Sequence, residues 1–297
     1  MSKPERFLLE IPDTPPLEKC KTSLRYAVNE LYTTEWDYVN NIKTLIKVYA
    51  DVLTPDLTTP VRHATPSAPV RGKNAVPRSR ATSTRVQSRA RTQSGMQVLS
   101  QYKSSIEPLS ASEARAIFRD IESLVVINDF LLRDLQNRIL SVDDTDRYRV
   151  QVGDILVQFA PHLKMYRHYF TAQDASDRLL VSLMATRPSL KRYINWAATL
   201  PRCKNLNLQS FLIRPIQRIP QMSLLVKEII KCNTQLAKAT QDSADIPDDL
   251  KEKLAQSFKA EISQCTEALA AIRQSASHIE KGIEKWQNQA KVMLLEK

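Results

Sequence analysis

Two stretches hold the side chains best placed to do chemistry. In NELYTTEWDYVNNI, residues 29 to 42, Glu35 stands among apolar residues; in LNLQSFLIRPIQRIPQMSLLVKEIIK, residues 206 to 231, an Arg-Pro-Ile-Gln-Arg core separates two apolar runs. A carboxylate, a guanidinium and an amide recognise partners by charge and hydrogen bonding. They do not make a nucleophile and its base. His63, His162, His168 and His278 have no nucleophile or metal-ligand neighbour in helical register, and Cys20, Cys203, Cys232 and Cys265 form no Cys-x-x-Cys pair. Phosphate-loop, dinucleotide, zinc-protease and serine-hydrolase motifs are all missing. The expected chemistry is therefore binding, without bond-making catalysis and without a metal or cofactor.

The elements that must position these groups read as helices. Of 297 residues only four are glycine, Gly72, Gly95, Gly153 and Gly282, too few for a sheet joined by tight turns. The fold class is all-α. At 100° per residue, Leu24, Val28, Leu31, Tyr38, Val39, Ile42, Ile46, Tyr49 and Leu53 share one side of a first helix that ends before Pro55. Glu35 falls within that stripe. An unpaired buried carboxylate is costly, so Glu35 either meets a buried cation inside the fold or lies where the stripe emerges to meet a partner. The residues alone favour the internal pair.

A second helix is expected from Ser110 or Ser112 to about Leu140, and a third from about Arg147 to Phe170. Shorter pieces follow at Ala172 to Thr186 and Ser189 to Thr199. The stretch from Leu206 then reads as one helix through Pro215 and Pro220, and a very long helix starts near Asp248. An interior proline costs a helix about 3 kcal/mol, so tertiary packing must hold that segment. Residues 1–16, proline-rich and without periodicity, are expected to be a flexible lead-in, and residues 17–292 an elongated bundle of about six long helices. Residues 55–97 interrupt it as a disordered insertion of Pro, Ser, Thr, Ala and Arg.

That insertion also accounts for the charge. The chain carries +11, yet residues 60–95 hold eight lysines and arginines and no acid, leaving only about +3 elsewhere. Such a segment could attract acidic membrane lipids, or be phosphorylated at Arg-flanked serines and threonines. It has no aromatic residue to stack a base, and no nucleic-acid partner is expected. No apolar run approaches the roughly 18 residues of a membrane span, and no signal peptide is visible, so a cytoplasmic protein that is recruited to membranes is expected.

Residues 29–42 resemble the first conserved region of the Dbl-homology domain, and residues 206–230 its third, with the Lys/Arg-Pro-x-Gln-Arg core. IFRDIESLVVINDFLLRDLQNRI and VGDILVQFAPHLKMYRHYF are similar to the helices between them. The resemblance covers about residues 20 to 290 apart from the insertion. It implies a guanine-nucleotide exchange factor for a Rho, Rac or Cdc42-type small GTPase, an elongated bundle whose first, fifth and last helices face the GTPase switch regions. Under it Glu35 becomes the glutamate that grips switch I, Gln217 a direct contact, and Arg218 a contact or a structural tie. Gln221, Met222, Leu224 and Glu280 join the expected contact face, with Asn205 and Leu206 near the place where the family sets GTPase choice.

Three positions depart from the family pattern. Gln221 and Met222 stand where a cation and a tyrosine are usual, and Glu280 replaces an asparagine. Exchange could therefore be weakened, redirected or lost. The alternatives are an exchange-deficient scaffold that binds a GTPase or another partner, and a basic adaptor acting through residues 60–95. Family members carry a pleckstrin-homology or other lipid-binding domain next, so residues 293–297 are expected to begin a truncated link to it.

Overall fold

The computed structural model describes residues 8–54 and 106–295, with the side chains of Ala276 and of residues 278–295 left aside. The expected insertion at 55–97 lies outside the described residues, as do 1–7 and 296–297. Among the described residues every regular element is helical. Helix α1, Pro15–Leu45, opens after the extended Thr14 with prolines in its first turn, where a missing N–H costs nothing. It runs without a break into a wider π-type turn, Ile46–Ala50, and a last helical turn, Asp51–Leu53. The extra residue per turn rotates the chain so that Val48, Tyr49, Ala50, Val52 and Leu53 are all buried.

The expected second helix is two. Ala111–Phe118 (α2) begins in a capping box between Ser110 and Glu113, and Ile121–Ile139 (α3) follows a break at Asp120, whose φ of 45° no helix accommodates. Arg187 holds the capping carboxylate from the other side, Nη2 to Oε1 2.8 Å. The expected third helix is likewise divided, into a 3₁₀ turn at Asp144–Arg149, then α4, Gly153–Phe159, a second 3₁₀ turn at Ala160–Leu163, and α5, Lys164–Thr171. Gly153 opens α4 instead of sitting inside a helix. Next come α6, Gln173–Thr186, α7, Pro188–Ala198, and the one-turn α8, Leu208–Leu212.

Helix α9, Arg214–Asp242, is the central strut, and α10, Asp248–Leu295, is the longest element at 48 residues. The strut starts after Ile213, so Pro215 occupies its first turn and only Pro220 is interior. One proline, not two, removes a helix hydrogen bond. Helix α9 packs along both α1 and α10, and α1 also packs along α3, which places the core between these rods. Ile219, Val226, Ile229 and Leu236 from α9 are buried there with Val28, Leu31, Val39 and Ile42 from α1 and Leu254, Phe258, Cys265 and Ile272 from α10.

The lead-in is another correction. Residues 8–14 are extended but not loose: Leu8 and Ile11 are buried, the Leu8 N–H donates to the Arg149 carbonyl at 2.7 Å, and Lys21 Nζ donates to the Ile11 carbonyl at 2.6 Å. Two apolar side chains three residues apart, with these two hydrogen bonds, strap it down.

At the far side of the bundle the buried Glu261 carboxylate of α10 accepts the N–H groups of Val152 (2.9 Å) and Gly153 (3.1 Å). A Cβ on Gly153 would stand 2.7 Å from Gln264 Cβ, so glycine is required for this approach. Burial pushes the Glu261 carboxyl above its ordinary value of 4.5, against the pull of the two backbone donors. A carboxyl raised in the folded state binds its proton more tightly there than in the unfolded chain, so stability is lost as pH rises from 4.5 through the folded pKa. Urea unfolding across that range is expected to show a shallower pH slope for Glu261→Gln than for the parent protein. Equal slopes would assign the pH dependence elsewhere.

Candidate functional site

The two chemistry-bearing stretches meet where α9 crosses α1. Glu35 and Arg218 both have side chains with 0% exposure, and Arg218 approaches one carboxylate oxygen, Oε2, with Nε at 2.9 Å and Nη2 at 2.6 Å. Glu35 thus meets a buried cation, the arrangement the residues alone favoured. Only the Nε approach is a hydrogen bond; Oε1 of Glu35 and Nη2 of Arg218 have no hydrogen-bond partner among the described residues. Burial pushes the Glu35 carboxyl above the usual carboxylate range, and the Arg218 charge and hydrogen bond oppose it.

The other guanidinium nitrogen of Arg218, Nη1, donates to Thr34 Oγ1 and Gln221 Oε1, both at 3.1 Å. The guanidinium carbon lies 5.8 Å from the Tyr38 ring centroid, a distance at which the ring face attracts a cation. Above this pair runs a groove of about 390 Å³ lined by Thr34, Asp37, Tyr38 and Asn41 of α1, Lys204 and Leu206 of the preceding loop, and Arg214, Gln217, Arg218 and Gln221 of α9.

The α9 face is set by helix period. Gln217, Gln221 and Leu224 follow one another at i, i+4 and i+7, share one exposed strip, and leave Leu224 68% exposed. Met222 lies about 140° round the helix from Gln217 and is 0% exposed in the core. It is therefore withdrawn from the expected contact face and packs the bundle. Arg218 is also on the inward side, where it acts as the tie between α9 and α1. Glu35 and Gln217 do not share a surface as expected: Gln217 lines the groove, and Glu35 lies beneath it, sealed by Arg218. Glu280 is on α10, but its side chain is outside the described residues.

Asn205 and Leu206 sit in the loop that enters α8. Lys204 and Asn205 have φ of 49° and 61°, a left-handed turn that asparagine tolerates better than most residues. Asn205 is exposed and Leu206 half-buried at the groove wall. The loop is fixed from below by an aromatic cluster: Tyr49 Oη donates to the Leu206 carbonyl at 3.5 Å, its ring lies 6.0 Å from Phe211, and Tyr193 Oη donates to the Val48 carbonyl. Sequence reasoning missed Thr34, Asp37, Asn41, Lys204 and Arg214 as groove residues. The polar spacing of Thr34, Asp37 and Asn41, beside the apolar stripe and on one side of it, was the available signal.

The groove is lined by three cations, Lys204, Arg214 and Arg218, one carboxylate, Asp37, and five amide or hydroxyl side chains. Such a lining is suited to gripping a polar surface. Its foundation is testable by stability. Glu35→Ala is expected to cost about 3–5 kcal/mol by leaving Arg218 buried and uncompensated, and Met222→Ala about 2–5 kcal/mol by emptying core volume. Gln217→Ala, at the surface, should stay within about 0.5 kcal/mol. Urea midpoints rank the three; a Glu35→Ala protein as stable as Gln217→Ala would contradict the buried-pair account.

The chain matches the family model described as "RhoGEF domain" over residues 27–280. It is 36% identical over 116 residues to the mouse (Mus musculus) FYVE, RhoGEF and PH domain-containing protein 3, covering 39% of this chain and 15% of that protein. It is 30% identical over 184 residues to the mouse protein 4 of the same series, covering 62% of this chain and 21% of that one. The chain thus spans under a quarter of either relative. Among solved structures it is similar in fold to the DH domain of FARP2, with TM-score 0.54, 16% identity, 92% of this chain and 95% of that one covered. The DH/PH domains of PDZ-RhoGEF in complex with activated RhoA give TM-score 0.51 at 13% identity, covering 88% of this chain and 56% of that chain. Because the matched residues contain the Glu35–Arg218 pair, both walls of the groove and the exposed strip of α9, this chain belongs to the RhoGEF domain family.

Proposed function

We propose that this chain promotes GDP release from a Rho-family small GTPase by binding its switch regions over the groove between α1 and α9. The observation that carries the reading is the exposed strip of Gln217, Gln221 and Leu224 beside the groove, within a domain matched to the RhoGEF model. The RhoA complex of the structural neighbour PDZ-RhoGEF supports a Rho-type partner. Nucleotide release asks for no proton transfer or nucleophile. A surface that binds the nucleotide-free GTPase more tightly than the GDP-bound form lowers the barrier to release by that difference.

In this reading Gln217 and Leu224 touch the GTPase directly, and Gln221 does so while anchored at its carbonyl oxygen by Arg218. The Gln221 amide N–H₂ then faces outward as a neutral donor where the family has a cation. Asn205 and Leu206 flank the same groove and contribute to GTPase choice. Glu35 acts from beneath, by holding Arg218, or reaches switch I after a rotamer change that exposes Oε1.

A second reading, a bundle that binds a GTPase without exchanging its nucleotide, is favoured by the full burial of Glu35. Release of fluorescent GDP from a panel of Rho-family GTPases separates the two. Acceleration on at least one member is expected, reduced about tenfold or more by Gln217→Ala or Leu224→Asp, since about 1.4 kcal/mol of lost contact is a factor of ten. No acceleration on any member, together with equal affinity for GDP-loaded and nucleotide-free GTPase, would establish the second reading.

A further inference from the structure

The polar groups behind the groove do not stop at Arg218. Asn128, on α3, is buried, and its Nδ2 donates to the Leu124 carbonyl and to Tyr166 Oη, both at 2.7 Å. Tyr166, on α5, donates in turn to Tyr38 Oη at 3.2 Å. The face of the Tyr38 ring is where the Arg218 guanidinium rests, and Arg218 holds Glu35 and Gln221. A polar path therefore crosses the apolar bundle from α3 through α5 and α1 to α9.

Packing alone does not require it. A phenylalanine fills nearly the same volume as a tyrosine without a hydroxyl that must be paired when buried. What the hydroxyl adds is direction. Burial first, with Glu35's charge next, holds the Tyr166 phenol neutral, so its hydroxyl keeps the proton it donates to Tyr38.

We propose that Tyr166, fixed by Asn128, is a positioning residue for the groove. It sets the Tyr38 ring, the ring sets the Arg218 guanidinium, and the guanidinium sets Glu35 and the outward amide of Gln221. Tyr169 supplies the internal control. It lies on the same helix, is as deeply buried, and donates to the Leu212 carbonyl at 2.7 Å, off this path.

Two readouts test the proposal, and the second rests on the exchange activity inferred above. The first is the NMR signal of the Arg218 Nε–Hε group that donates to Glu35. Tyr166→Phe is expected to displace that signal and speed its solvent exchange about threefold to tenfold, the worth of one buried hydrogen bond, whereas Tyr169→Phe leaves it in place. Tyr38→Phe, which removes the acceptor from the other side, is expected to act as Tyr166→Phe does and serves if the latter does not fold. The second readout is GDP release: Tyr166→Phe slows it about threefold to tenfold, and Tyr166→Phe with Glu35→Gln costs no more than Glu35→Gln alone. An Arg218 signal unmoved by both path variants, or moved equally by Tyr169→Phe, overturns the proposal. Parent protein inactive on every GTPase sinks the exchange reading and leaves the NMR result to decide the positioning role by itself.

Discussion

A carboxylate and a guanidinium, both removed from water, hold the two principal rods of this protein together. Taking either ion alone into the core costs several kcal/mol, and only a close partner with further hydrogen bonds offsets that. Arg218 meets most of the condition: Nε bonded to Glu35 on one edge, Nη1 to Thr34 and Gln221 on the other, and the Tyr38 ring beneath, while Nη2 contributes charge at 2.6 Å from Oε2 without a hydrogen bond among the described residues. Glu35 meets it by half, with Oε1 left without a hydrogen bond among the described residues. A pair so placed is a poor source of net stability but a strict judge of register, because sliding α9 by one residue along α1 would strand both charges. The groove inherits its shape from that register.

The strut achieves its position in spite of its sequence. Pro220 forfeits one helix hydrogen bond inside α9, and the apolar side chains on both flanks, buried against α1 and α10, offset the loss. Pro215 does the opposite job. It sits in the first turn and fixes the start of the helix, directly after Leu208–Leu212, whose preceding loop places Leu206 and Lys204 at the groove wall.

What this bundle presents to a partner is divided along α9. The exposed strip of α9 offers two amides and an apolar side chain; the buried row of the same helix supplies the tie to α1. Each side chain in the Gln217 to Leu224 stretch therefore belongs to one duty or the other, except Gln221, which is held by Arg218 at one end and free to face a partner at the other. A neutral amide there puts no charge of its own on that strip.

The helical class, the amphipathic stripe of α1 and the strut were all legible in the residues, because helix period and glycine scarcity are local properties. The pairing logic was legible too: a carboxylate inside an apolar stripe had to find a cation or a partner. What the sequence could not decide was which. That needed α9 beside α1, with Arg218 turned inward by its place on the helix wheel. Met222 shows the same limit, since one residue beyond Gln221 is enough to pass from surface to core, and only the packing direction of α9 says where the boundary falls. The packed lead-in, the break at Asp120 and the path from Asn128 to Glu35 escaped for a related reason. The lead-in and the path rest on contacts between residues far apart in the chain, and the energy that fixes them appears only when the rods close.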